Sequence, residues 1–382
     1  MSDVSFSIPA SVMYGLDMVN RIAAQASRFG NRALLVTEAI LYESKTIERV
    51  QSILNKAGIQ HIVFDEVVPN ATSTAVEDGV SLARGSHAEV VIGMGGIRAL
   101  SVAKAIAACA PTDRDVFDFL AGVQAQGQPL AYLEIPTTNR NPFSFTDEYF
   151  LVDGRDRTGK ILKAQPGITR AVIVDPKLTL SLPPKYTATT MMDTLLGAVE
   201  GFLSTRSNFL ADNFFREAIQ AIGANIVEAV RHPEDIRARV KASMAGLLVG
   251  LGLSMSRQGL GAALAYAINA RFMVPKSWLA TILLPHVMDF TLHSSTERLA
   301  EIAGLLGEDV RGVPPPEAAV RAADAVRRFI GALSLPTRLR DFDLNLDDMI
   351  EVAATARSYD MMNYLPRAIS TEDLYELIKI AF

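Results

Sequence analysis

The stretch Ala88–Ala108, AEVVIGMGGIRALSVAKAIAA, decides how the rest of the chain is read. Glu89–Ile92 is a short run rich in β-branched residues, and Ala99–Ala108 has the small and apolar spacing of a buried helix. Between them Gly93, Gly95 and Gly96 form a tight turn. Glycine lets the backbone bend sharply there and lets a ligand approach main-chain N–H groups at the positive end of the helix. Many strand–glycine–helix turns need only a positive φ. The stretch therefore reads either as a phosphate cradle or as a plain bend.

Working towards the N-terminus, residues 17–29 read as an amphipathic helix and Ala33–Thr37 as a buried strand ending at Glu38. A helix over 42–57 is closed by Gly58, His61–Phe64 is a second strand, and a helix over 74–86 leads into the glycine turn. This β-α-β-α-β order implies a parallel sheet with right-handed crossovers, whose ligands gather at the carboxyl ends of the strands. Glu38, Asn70 and Gly93–Gly96 fall at such ends. A carboxylate after the first strand can accept hydrogen bonds from a ribose and repel a 2′-phosphate, favouring NAD over NADP; it can equally be a solvated or helix-capping charge. Asn70, after Pro69, can equally be a turn residue.

Beyond the turn, Leu130–Ile135 is a further strand, followed by the polar loop Pro136-Thr137-Thr138-Asn139-Arg140-Asn141-Pro142. Phe150–Val152 and Ala171–Val174 read as strands flanking a turn with Thr158-Gly159-Lys160. Pro176, Pro183 and Pro184 punctuate a change to helical periodicity, in spans 187–203, 208–230, 234–256, 259–271, 278–292, 295–305, 315–332, 346–357 and 371–380. Two domains follow, an α/β domain over 1–182 and an all-helical domain over 183–382.

A chain of 382 residues with 49% hydrophobic and 21% charged residues buries a sizeable core. Net charge −5 and the lack of long Lys/Arg runs argue against nucleic acid or a membrane surface as partner. The single Cys109 excludes an internal disulfide and a cysteine-based zinc site, and reads as a small apolar core residue. No secretory leader or long uncharged apolar run is evident, so cytoplasmic residence is expected.

The residues now carry a family likeness along the whole chain. Val68-Pro69-Asn70, Gly93-Met94-Gly95-Gly96 through Ala103-Lys104, Pro136-Thr137-Thr138, and Val174-Asp175-Pro176-Lys177-Leu178 through Pro183-Pro184 appear in order. They are followed by Asp193 to Glu200, Leu283-Leu284-Pro285-His286-Val287-Met288, and Asn363 with Pro366-Arg367-Ala368. In this the chain resembles the iron-containing (group III) alcohol dehydrogenases, the dehydroquinate synthase-like fold. The resemblance implies an N-terminal domain that binds a nicotinamide dinucleotide, with Glu38, Asn70, Gly95, Gly96, Arg98, Thr137, Thr138 and Lys160 at cofactor positions. It implies a helical second domain, a cleft between the two, and a homodimer.

The resemblance also implies a metal ion held by one Asp and three His. Asp193 stands at the Asp position, whereas Gly197, Ala262 and Lys276 stand where the family has its ligand histidines, and Tyr266 replaces a further His near the substrate. One carboxylate does not hold iron or zinc, since such sites use three or four protein ligands, so no metal is expected. His61, His87, His232, His286 and His293 fall at none of these positions. His286, Asp289 and His293 share a helical face, but His286 belongs to a motif the family has alongside its metal. Ile97 and Arg98 replace a glycine and a serine of the phosphate turn, and Asn139–Ser144 replaces a small-residue loop. Ile97, Pro142 and Phe143 could obstruct a dinucleotide, or Arg98 and Arg140 could bind its pyrophosphate. Arg257, Gln258 and Trp278 suggest a rebuilt substrate pocket.

Two functions remain in view. One is a metal-independent NAD(P)-linked alcohol dehydrogenase or carbonyl reductase, in which Lys276, paired with Asp193, polarises a carbonyl and Tyr266 relays the proton. The other is a catalytically silent family member serving as a binding or scaffolding subunit, with Lys276 only neutralising Asp193.

Overall fold

The structure is a computed structural model that describes residues 4, 6–67, 70–140 and 142–382; Val68, Pro69 and Asn141 of the motifs above lie outside the described residues. The chain divides into two compact units at Ser181/Leu182. In the first, the strands are β1 (Ser11–Tyr14), β2 (Arg32–Val36), β3 (Gln60–Phe64), β4 (Val90–Gly95), β5 (Ala131–Pro136), β6 (Glu148–Val152), β7 (Gly159–Lys163) and β8 (Thr169–Val174). Six of them form a parallel sheet in the order β1-β8-β5-β4-β2-β3, and β6 and β7 pair antiparallel. The helices are α1 (Ile22–Ala26), α2 (Thr46–Lys56), α3 (Ser73–Gly85), α4 (Ile97–Cys109) and α5 (Val116–Leu120).

Strand alternation divides the core in two. Leu34, Val36 and Val91 pack on one face with α3 and α4, while Ala33, Leu35, Val90 and Ile92 pack on the other with α1 and α2. Both faces are covered, so β4 is buried from end to end and reads as one continuous apolar run. Gly93 lets α4 lie against this strand, since a Cβ there would stand 2.8 Å from the Ala103 Cβ and 2.9 Å from the Tyr132 ring. Cys109 is buried, and that burial pushes its thiol up to about 12.

Two expectations are corrected and one strand is added. Residues 17–29 are not one helix: Asp17 adopts φ 61, a 3-10 turn spans Met18–Arg21, and α1 is short. The strand β1 before it had no counterpart in the sequence reading, although it pairs with β8 from Ser11↔Ala171 to Tyr14↔Val174. Gly159 and Lys160, read as a turn, begin β7, because the reversal occurs earlier, where Arg157 takes φ 59.

The second unit consists of α6 (Pro184–Leu203), α7 (Phe209–Arg231), α8 (Ile236–Leu253), α9 (Leu260–Phe272), α10 (Lys276–Thr291), α11 (Thr296–Leu305), α12 (Pro315–Ala332), α13 (Met349–Ser358) and α14 (Thr371–Ala381). Pro184 opens α6 at a position where a proline loses no intrahelical bond, and every residue from Thr187 to Leu203 is buried. A polar side chain on such a helix must find its partners inside the protein.

Candidate functional site

In the α/β unit, β4 ends at Gly95 with φ +150, a conformation that favours glycine. A Cβ on Gly95 would lie 2.8 Å from the Ala99 Cβ and 3.1 Å from Glu38 Oε2, and one on Gly96 would lie 3.4 Å from Thr138 Cγ2. The Gly96 N–H, at the start of α4, donates to Glu38 Oε2 at 3.1 Å. Arg98 Nη2 lies 2.9 Å from Glu38 Oε1. After β5, the Thr137 N–H donates to the Gly95 carbonyl at 3.0 Å, and the Thr138 hydroxyl donates to the Arg140 carbonyl at 3.1 Å. Glu38, Gly95, Gly96, Arg98, Thr137 and Thr138 are thus gathered at the carboxyl ends of β2, β4 and β5. The Glu38 carboxylate meets the positive end of α4, where a negative charge is favoured.

Ile97, Pro142 and Phe143 line a small pocket with Leu100, Ser101 and Lys104, on the flank of α4. Lys104 lies 1% exposed and donates from Nζ to the carbonyls of Phe143 at 2.6 Å, Thr146 at 2.9 Å and Glu148 at 3.3 Å. Burial lowers the pKa of this ammonium, while Glu134, Asp147 and Glu148 oppose that shift. Lys104 therefore pins the loop that follows Thr137-Thr138. Its signal was a cation within the small and apolar run Ala99–Ala108. Arg140 is buried, whereas the Arg98 side chain is 40% exposed.

Asn70 and Lys160 take on local structural work. Asn70 Oδ1 accepts from the Ala71 N–H at 2.9 Å, and the Thr72 side chain caps α3. Lys160 Nζ donates to the carbonyl of Leu120, the last residue of α5, at 2.8 Å.

In the helical unit, Asp193, Lys276 and Tyr266 come together. Lys276 opens α10, its Nζ lies 2.5 Å from Asp193 Oδ1, and both side chains are almost fully buried. The same ammonium stands 4.7 Å from the centroid of the Tyr266 ring, a cation–π contact. One turn beyond Asp193, Gly197 offers no side chain, and Ala262 offers only a methyl group.

Two neighbours were missed by the sequence reading as site residues. Glu200, seven residues after Asp193 on the same face of α6, accepts from the N–H groups of Gly259 at 2.8 Å, Gly261 at 2.6 Å and Ala262 at 3.2 Å. Burial pushes its carboxyl up to about 7, against the pull of these donors and of Lys276. Tyr359 is buried near Tyr266, and burial raises its hydroxyl pKa. Glu200 had two signals in the sequence, its place at the end of the Asp193–Glu200 stretch and its seven-residue spacing from Asp193.

Gln258 lines a pocket with Glu200, while His286 and Asp289 have other surroundings on α10. His286 is held neutral-leaning by burial, and Asp289 on the same face is bound by Arg327. Among the described residues no group of three or more His, Cys, Asp or Glu is placed to hold a metal ion, and no helix is long and apolar enough to cross a membrane.

A parallel sheet with a glycine turn and an acidic side chain at its carboxyl edge, followed by a helical unit, defines an α/β ligand-binding architecture joined to a helical domain. Comparison with known proteins narrows this to a family. Residues 9–176 match the iron-containing alcohol dehydrogenase model, and residues 187–382 match the C-terminal model of the same family. The chain belongs to the iron-containing alcohol dehydrogenase family. It is 27% identical to the 1,3-propanediol dehydrogenase of Citrobacter freundii, covering 99% of this chain and 98% of that one. It is 27% identical to the NAD-dependent methanol dehydrogenase of Bacillus methanolicus, covering 99% of each. It is 28% identical to the lactaldehyde reductase of Escherichia coli strain K12, covering 97% of each. Among solved structures, a 1,3-propanediol oxidoreductase superposes with a TM-score of 0.94 at 26% identity, covering all of both chains.

Proposed function

We propose that this chain is a metal-independent, NAD(H)-linked oxidoreductase that interconverts a small carbonyl compound and its alcohol. The observation that carries this reading is the Lys276 ammonium, fixed 2.5 Å from Asp193 and over the Tyr266 ring. Iron or zinc does not fit this donor set. The one carboxylate is already engaged by an ammonium, that ammonium repels a divalent cation, and Gly197 and Ala262 bring no ligand atom. A fixed cation supplies without a metal what carbonyl reduction needs, a positive charge near the oxygen on which negative charge develops.

The glycine turn fits a dinucleotide by its place, at the carboxyl end of β4 and the start of α4, where a backbone without side chains can approach a pyrophosphate. Gly95, Gly96, Thr137 and Thr138 would hold the pyrophosphate side and Glu38 the ribose, with Asn70 and Lys160 supporting the surrounding loops. NAD is read as a cofactor because the Glu38 carboxylate can accept hydrogen bonds from a ribose, and a relative matched over its full length is named NAD-dependent. A bound nicotinamide supplies or receives the hydride. In the direction of reduction Lys276 hydrogen-bonds the carbonyl oxygen, Asp193 keeps the ammonium in place, and the Tyr266 hydroxyl gives the proton that completes the alcohol.

A second reading, a catalytically silent binding or scaffolding subunit, draws on one observation. Asp193, Lys276 and Tyr266 are at most 6% exposed, the burial expected of an ion pair that only neutralises itself. Titrating NADH into the protein and then assaying small aldehydes and ketones separates the two. The enzyme reading expects saturable binding and a fall in kcat of about 100-fold or more for Lys276→Ala, as for removal of an oxyanion-stabilising donor. Unchanged activity in Lys276→Ala overturns the assigned role. Absence of binding at millimolar dinucleotide supports the silent subunit.

A further inference from the structure

We propose that Arg98 is a specificity-determining residue that opens the cofactor site to 2′-phosphorylated dinucleotides, by offsetting the charge of Glu38. This rests on the reading of the glycine turn as a dinucleotide site.

Glu38 is the residue whose charge should exclude a 2′-phosphate, but it is not a bare carboxylate. Oε1 is engaged by the Arg98 guanidinium at 2.9 Å and Oε2 by the Gly96 N–H at 3.1 Å. Each carboxylate oxygen has a second acceptor position, so a ribose hydroxyl can still be bound while both contacts persist. What changes is the charge met by a phosphate. The pair is neutral as a whole, it lies at the positive end of α4, and its exposed member is the cation. The Arg98 side chain is 40% exposed, while that of Glu38 is 12% exposed. A guanidinium beside the ribose-reading carboxylate can pair with a 2′-phosphate bidentately. Gly95 and Gly96 hold this geometry, since a Cβ at either would come within 3.6 Å of Glu38 Oε2.

The test measures binding of NADH and NADPH to the full chain by fluorescence, and of 5′-AMP and 2′,5′-ADP by calorimetry. Wild type is compared with Arg98→Ala, Arg98→Lys and Glu38→Gln, each checked for folding by its melting temperature. The expected result is that wild type binds NADPH within about tenfold of NADH. Arg98→Ala then loses about tenfold or more in affinity for NADPH and 2′,5′-ADP, with less than about threefold change for NADH and 5′-AMP. Arg98→Lys retains part of the NADPH affinity, and Glu38→Gln shifts preference towards NADPH. Equal weakening of both cofactors in Arg98→Ala makes Arg98 a pyrophosphate contact and overturns the proposal, as does exclusion of NADPH by wild type. If none of the four compounds binds, the dinucleotide reading itself fails and takes this proposal with it.

Discussion

An ammonium on the first residue of a helix faces the positive end of the peptide dipole, and Lys276 occupies that position in α10. Burial adds to the cost. Three features offset it: the Asp193 carboxylate at 2.5 Å, the face of the Tyr266 ring, and the attraction of Glu200. Removing one partner of such a pair leaves a buried charge uncompensated, at a cost of about 3–5 kcal/mol, whereas replacing both with apolar groups is often neutral or stabilising. Lys276→Met should therefore unfold at clearly lower urea concentration than wild type, and the double variant Asp193→Leu/Lys276→Met should recover most of that loss. Under the proposed mechanism the recovered double variant is inactive. If it is both stable and active, the pair serves only its own neutrality. At this scale the sequence was readable only in part. Asp193, Lys276 and Tyr266 stood out because of what they replace in a resembled family, while Glu200 and Tyr359 acquire meaning only when α6, α9 and the segment after α13 are packed together.

The elements themselves were legible wherever one periodicity ran long enough to dominate. The buried β2, β4 and β5 and the long helices α6 to α10 follow from continuous apolar runs or helical stripes. What escaped was short or locally contradictory. β1 is four residues at the sheet edge with two of them exposed, so it lacks the apolar pattern of a core strand. β7 begins with Gly159, a residue that ordinarily signals a turn. The joint between α6 and α9 also lacks any local signature, since it is made by one buried carboxylate on three backbone N–H groups. That joint has a pH dependence. Glu200 is pushed from an ordinary 4.5 to about 7 in the folded chain, so between these values the native state binds more protons than the unfolded state. Stability from this group accordingly falls as pH rises from about 4.5 to about 7. Glu200→Gln cannot ionise, and its melting temperature should vary less between pH 5 and pH 8 than that of wild type. Parallel curves for the two proteins would show that the carboxyl is already ionised throughout.

Across the whole molecule, a TM-score of 0.94 at 26% identity shows how far side chains have changed on a backbone that has not. The scaffold depends on apolar alternation, glycine contacts and helix caps, and many sequences satisfy these. The chemistry depends on a few polar groups that a single substitution can replace, so membership of an iron-containing family does not establish iron here. Metal dependence is open to a direct test on the complete chain. A ligand that binds only the folded state raises the melting temperature in proportion to RT ln(1 + [L]/Kd), so a metal-holding protein melts lower after chelation and higher on addition of Fe²⁺ or Zn²⁺. With Lys276 engaging Asp193, neither change is expected for this protein, and its dinucleotide-dependent turnover should survive dialysis against EDTA undiminished. Elemental analysis of the purified chain gives the opposing result its clearest form: about one iron or zinc per chain, lost on chelation together with activity, would mean that the ammonium moves aside for an ion and that the metal-free mechanism is wrong.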